Sequence, residues 1–156
     1  MAQPINPLIT EQLDALLHGE TNLTANLANA SALLMQTIPA INWAGFYQYQ
    51  PADDTLILGP FQGNVACMHI ENHHGGCGTA LATQTTQRVA DVHTFAGHIA
   101  CDSASNAEIV VPLTLADGTK LGVLDIDSPE KNRFSAADQT VLEEFARVLL
   151  THVDKA

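Results

Sequence analysis

The chain is poor in positive charge. Six Lys and Arg stand against seventeen Asp and Glu in 156 residues, a formal net charge of −11. A surface that neutralises phosphates needs Lys and Arg, so nucleic acid and anionic membrane are excluded as partners. No apolar run approaches the ~20 residues a membrane helix requires. The opening MAQPINPLITEQ lacks a basic segment followed by an apolar one and does not read as a signal peptide. No two cysteines have Cys-x-x-Cys spacing, so a thioredoxin-type redox helix and a zinc knuckle both lack their signature. Low-complexity stretches, internal repeats and linkers are missing too. What remains is 46% hydrophobic and 15% charged, the make-up of one globular domain over residues 1–156, expected in the cytoplasm.

Three cysteines are present, Cys67, Cys77 and Cys101, and five of the seven histidines fall within the same stretch. In a reducing compartment an odd number of thiols suits a nucleophile with a resolving partner better than a static crosslink. Cys67 lies in or beside a strand, where a small buried hydrophobe is the plain alternative. Cys77 lies between glycines at a helix start, where backbone N–H groups stabilise a thiolate. Cys101 lies in a long irregular loop, the kind that usually carries function. Spacing does not rank Cys77 against Cys101. Three thiols and an imidazole would satisfy zinc, but without a close pair no metal site is expected, and His73-His74 reads as a solvated turn.

Helical spacing predicts helices over 9–17 and 23–38, the second ended by Pro39. Strands are expected over 42–49 and 55–58, the latter broken by Gly59-Pro60, and over 66–70. Residues 75–78 read as a flexible loop before a short helix over 79–84. Residues 88–92 read as extended and 94–107 as a loop. An apolar strand over 108–115 turns at Asp117-Gly118 into a strand over 120–127. Ser135 caps a last helix reaching about His152. Paired strands with helices at both ends indicate an α+β fold on an antiparallel sheet.

Asp125 and Asp127 are two apart on a strand and share a face, so their repulsion raises the pKa of one of them. One can then act as an acid while its neighbour holds a cation; a solvated strand end is the alternative. Glu108 opens the preceding strand. Trp43 and Tyr47 also share a face, as core packing or as a box for a methyl-bearing sulfur or an ammonium.

Asn42-Trp43-Ala44-Gly45-Phe46-Tyr47, Leu58-Gly59-Pro60-Phe61-Gln62-Gly63, Gly76-Cys77-Gly78-Thr79-Ala80 and Gly97-His98-Ile99-Ala100-Cys101-Asp102 follow one another. Glu108-Ile109-Val110-Val111-Pro112 and Gly122-Val123-Leu124-Asp125-Ile126-Asp127 complete the series. Together they resemble the GAF-domain free methionine-(R)-sulfoxide reductases over nearly the whole chain. The resemblance implies a GAF fold, with the terminal helices on one face of the sheet and active-site loops on the other. It implies that Cys101 attacks free methionine (R)-sulfoxide, that Cys67 resolves the sulfenic acid as a Cys67–Cys101 disulfide, and that Cys77 assists. The family's acidic positions fall on Glu108, Asp125 and Asp127 and its aromatic substrate wall on Trp43 and Tyr47; to these we assign oxygen activation by Glu108 with Asp127 and ammonium binding by Asp125 and Asp127. It further implies no bound cofactor, thioredoxin as external reductant, and a homodimer. The rival readings are a non-enzymatic GAF sensor and a zinc-binding structural domain.

Overall fold

The computed structural model describes residues 3–95, 97 and 104–153. Helices α1 (Ile9–Leu16) and α2 (Leu23–Thr37) lead into strands β1 (Trp43–Gln50), β2 (Thr55–Gly63) and β3 (His69–Glu71). Helix α3 (Gly75–Thr83), β4 (Gln87–Val89) and a short 3-10 turn (Val92–Thr94) follow. The chain then forms β5 (Ala107–Thr114), β6 (Lys120–Ser128) and α4 (Ala136–Thr151). The six strands make one antiparallel sheet in the order β3-β2-β1-β6-β5-β4. The fold is α+β on an antiparallel sheet, as expected.

Local chemistry sets the helix boundaries. Asn22 accepts the Ala25 N–H at the start of α2. Ser135 and Asp138 form a reciprocal capping box at the start of α4. Asp138 also accepts the Ile5 N–H and pairs with Arg133 at 3.2 Å, both side chains almost fully buried. Arg133 in turn donates to the Pro39 carbonyl, tying the entry of α4 to the segment that leads into β1.

Period-two alternation divides the sheet between two cores. Ala44 and Phe46 of β1, Ile109, Val111 and Leu113 of β5, and Leu124 and Ile126 of β6 face one way. They meet Leu13 of α1, Leu27 and Leu34 of α2, and Leu142, Phe145 and Leu149 of α4. Trp43, Tyr47, Val110 and Val123 face the other way, against Cys77, Ala80 and Leu81 of α3.

Three local expectations are corrected. Strand β2 runs straight through Gly59-Pro60, because the register steps from Gly45↔Phe61 to Tyr47↔Leu58. Two residues there oppose Phe46 alone, so Pro60 sits in a β-bulge where its missing N–H costs no ladder bond. Residues 75–78 belong to α3 and are not a flexible loop. Of the strand expected over 66–70 only His69 and Ile70 pair, leaving Cys67 beside the strand in irregular backbone.

Candidate functional site

The antiparallel register brings the acidic residues together. Trp43 opposes Asp127, and Asp127 opposes Glu108, forming one row across β1, β6 and β5. Gly45, Asp125 and Val110 form the next row, and Tyr47, Val123 and Pro112 the third. Glu108, Asp125 and Asp127 thus share the face that carries Trp43 and Tyr47, and all five line one cavity. Like charges directly opposite across strands destabilise a sheet, so an acidic row of this kind opposes folding and needs a reason of another sort.

Glycines open the room. A Cβ on Gly45 would collide with the Phe61 side chain and the Trp43 ring. A Cβ on Gly76 would meet Glu108 Oε1, so α3 can lie over the acidic row only with glycine there. Ala66, Ile70, Val92 and Ser105 complete the wall, with Gly75 and Gly76 above and His74 at the rim.

The aromatic wall is fixed by stacking and by hydrogen bonds. Trp43 stacks on Phe61 with ring centroids 5.1 Å apart and on Tyr47 at 5.9 Å. Trp43 Nε1–H donates to the Asn64 carbonyl at 3.1 Å and Tyr47 O–H to the Cys67 carbonyl at 2.9 Å. Both rings therefore hold the 64–67 segment, which carries Cys67 past the cavity. Cys67 is disulfide-bonded, and Cys77 is a free, buried thiol. Cys101 lies outside the described residues.

Electrostatics corrects one expectation. The start of α3 does not make Cys77 a stabilised thiolate. Burial pushes its thiol well up, and the charges of Asp125, Glu108 and Asp127 push the same way, as does its hydrogen bond to Asp125. Desolvation and nearby carboxylates outweigh the helix terminus. Asp125 is also raised well above the ordinary carboxylate range, by burial first and then by the charges of Asp127 and Glu108. A hydrogen bond with Glu108 adds to the rise, and the one with Cys77 opposes it. Of the Asp125–Asp127 pair, Asp125 is thus the raised member. Its Oδ1 is buried with no hydrogen-bond partner. The Tyr47 hydroxyl is raised by burial and then by the charges of Asp125, Cys77, Asp127 and Glu108, and stays a proton donor.

The structure therefore brings Trp43, Tyr47, Cys77, Glu108, Asp125 and Asp127 into one cavity, with Cys67 at the edge of the same cluster. His73 and His74 are exposed as expected, but His74 also forms part of the cavity rim. Sequence reasoning missed Gly76 and Ser105. The Gly75-Gly76 doublet was the available signal for the first, since glycine marks close approach as well as flexibility.

A buried acid, two neighbouring carboxylates and an aromatic wall can hold a small polar molecule, donate a proton to it and shield it from water. A GAF domain family model matches residues 22–151. The free methionine-R-sulfoxide reductase of Escherichia coli is 50% identical over 141 residues, covering 90% of this chain and 84% of that protein. The enzyme of the same name from Saccharomyces cerevisiae is 46% identical, covering 90% of this chain and 83% of its own. The free methionine-R-sulfoxide reductase of Neisseria meningitidis, solved with its substrate, superposes with a TM-score of 0.88 at 40% identity, covering 92% and 85% of the two chains. The chain belongs to the GAF domain family and, within it, to the free methionine-R-sulfoxide reductases, which are oxidoreductases.

Proposed function

We propose that the protein reduces free methionine (R)-sulfoxide to methionine by thiol chemistry. The observation that carries this reading is the acidic set Glu108, Asp125 and Asp127 facing the Trp43–Tyr47 wall in one cavity. A sulfoxide oxygen leaves only when protonated, so an acid must stand beside it. Asp125, raised well above the ordinary carboxylate range by burial and by the charges of Asp127 and Glu108, is hydrogen-bonded to Glu108 and stands behind the acid of this set. Glu108 with Asp127 activates the oxygen, while Asp125 and Asp127 take the ammonium. The stacked indole of Trp43 receives the methyl group, and Tyr47 completes the wall.

In this reading the Cys101 sulfur attacks the sulfoxide sulfur. The sulfur–oxygen bond of the substrate breaks, methionine leaves two electrons richer, and the oxygen remains on Cys101 as a sulfenic acid. The Cys67 thiol condenses with that acid, releasing water and forming the Cys67–Cys101 disulfide. A thioredoxin-type dithiol then reduces the disulfide and supplies the two electrons. The pairing is supported by the bonded state of Cys67 beside the free thiol of Cys77. No cofactor takes part, and the setting is the cytoplasm, with the protein acting as a homodimer. Among the described residues no helix is long and apolar enough to cross a membrane.

The test follows NADPH in a thioredoxin system with each epimer of free methionine sulfoxide. Consumption with the R epimer alone is expected; none with R would sink the reading. Cys101→Ser is expected to abolish turnover, whereas surviving activity would pass the attack to Cys77. Cys67→Ser is expected to release one methionine per chain and then stop.

A further inference from the structure

Cys77, Glu108 and Asp125 come from three elements, α3, β5 and β6, and converge. The Cys77 sulfur and one oxygen of each carboxylate all lie within 4.8 Å of one another. Asp125 is 5% exposed, and its buried Oδ1 has no hydrogen-bond partner. A buried polar atom left without a hydrogen bond is costly, so an oxygen held in that state marks a place where a ligand belongs. We propose that Cys77, Glu108 and Asp125 form a binding site for a divalent cation of the zinc class.

The donor set selects the ion. A thiolate favours thiophilic and borderline cations and disfavours magnesium and calcium, which take oxygen ligands throughout. An ion at the centre of a triangle of that edge sits at most about 2.8 Å from each donor, against roughly 2.0–2.3 Å for zinc–oxygen and zinc–sulfur bonds. Each donor needs to close by about 0.5–0.8 Å, which side-chain rotation supplies. Three protein ligands leave a fourth tetrahedral position, and all three line the same cavity. The cavity lining includes His74, whose side chain is 57% exposed.

Charge favours the same conclusion. Three carboxylates and a buried thiol crowd one low-dielectric face, and a dication turns their mutual repulsion into attraction. A thiol binds such an ion as the thiolate, so ligation by Cys77 releases a proton into solution. The set differs from the three thiols and an imidazole set aside in the sequence, where no metal site was expected, because these donors meet only through the fold. It uses neither Cys67 nor Cys101 and does not depend on the reductase reading. If both hold, the ion occupies the carboxylates that bind substrate and blocks it.

The experiment uses the full-length protein in its disulfide form, where Cys77 is a free thiol. Cadmium, a zinc surrogate whose bond to a thiolate absorbs in the ultraviolet, is titrated in weak buffer so that proton release is read together with the band. One equivalent is expected to develop the band with release of protons. Zinc, but not magnesium, is expected to displace it. Cys77→Ser is expected to abolish the band. Glu108→Gln keeps the thiol and is expected to weaken binding at least about tenfold, the low end of what losing even an outer partner of a metal costs. No band at stoichiometric cadmium, a band that survives in Cys77→Ser, or unchanged affinity in Glu108→Gln would each overturn the proposal. None of these readouts involves methionine sulfoxide, so failure of the reductase reading leaves them standing.

Discussion

The two faces of the central sheet are built by the same strands and obey opposite rules. On β6, Leu124 and Ile126 are fully buried among apolar side chains of α1, α2 and α4. Asp125, between them, is nearly as enclosed but faces carboxylates and a thiol. One face gains stability from every group it buries, whereas the other gives stability up to keep charge and bare oxygen inside. Alternation lets a single strand serve both ends, because a change of one position crosses from core to site.

The sharpest break of this comparison is on the acidic face. Glu108→Gln or Asp127→Asn is expected to lower kcat/KM for the R sulfoxide by about 10²- to 10⁴-fold, the range for removing a positioned acid–base group. Melting temperature is expected to hold or rise, since each change removes one charge from a repelling row. Steady-state kinetics and a thermal melt on the same preparation check both halves. A large loss of stability would mean that the carboxylates hold the sheet together.

On the other face Leu124→Ala is expected to cost about 2–5 kcal/mol in denaturant unfolding, the range for truncating a fully buried leucine. Activity per folded molecule is expected to change little, because Leu124 points away from the cavity. A kinetic defect as deep as that of Glu108→Gln would show that the two faces are not separable.

Much of this division is legible in the sequence. The spacing of Asp125 and Asp127 and of Trp43 and Tyr47 puts each pair on one face. The Asp117-Gly118 turn makes β5 and β6 a hairpin, which is how Glu108 comes opposite Asp127. Legibility ends where tertiary contact overrides local preference. Gly59-Pro60 reads as a break, yet the bulge opposite Phe46 absorbs it. Residues Gly75 to Gly78 read as a loop, yet packing over Glu108 and Val110 makes them the first turn of α3. The raised thiol of Cys77 could not be read at all, since it depends on how deeply that helix lies against carboxylates about thirty to fifty residues away along the chain.

The smallest expected effect is the most discriminating, because it sets Asp125 against its neighbour Leu124. The folded state holds the Asp125 proton more tightly than the unfolded chain does, where the carboxyl titrates near its ordinary 3.8. Its contribution is therefore fully present below that pH and is lost as pH rises through the raised folded value. Asparagine keeps the shape and does not titrate. Asp125→Asn is accordingly expected to match the parent protein near pH 4 and to become the more stable of the two as pH rises. The advantage at neutral pH is on the order of 1 kcal/mol, typical of a relieved functional compromise, or about 2–4 °C in melting temperature. Melts at a series of pH values read this directly. The sign is opposite to that of Leu124→Ala one residue away, and an advantage that stays flat with pH would refute the idea that Asp125 is kept protonated at a cost to the fold.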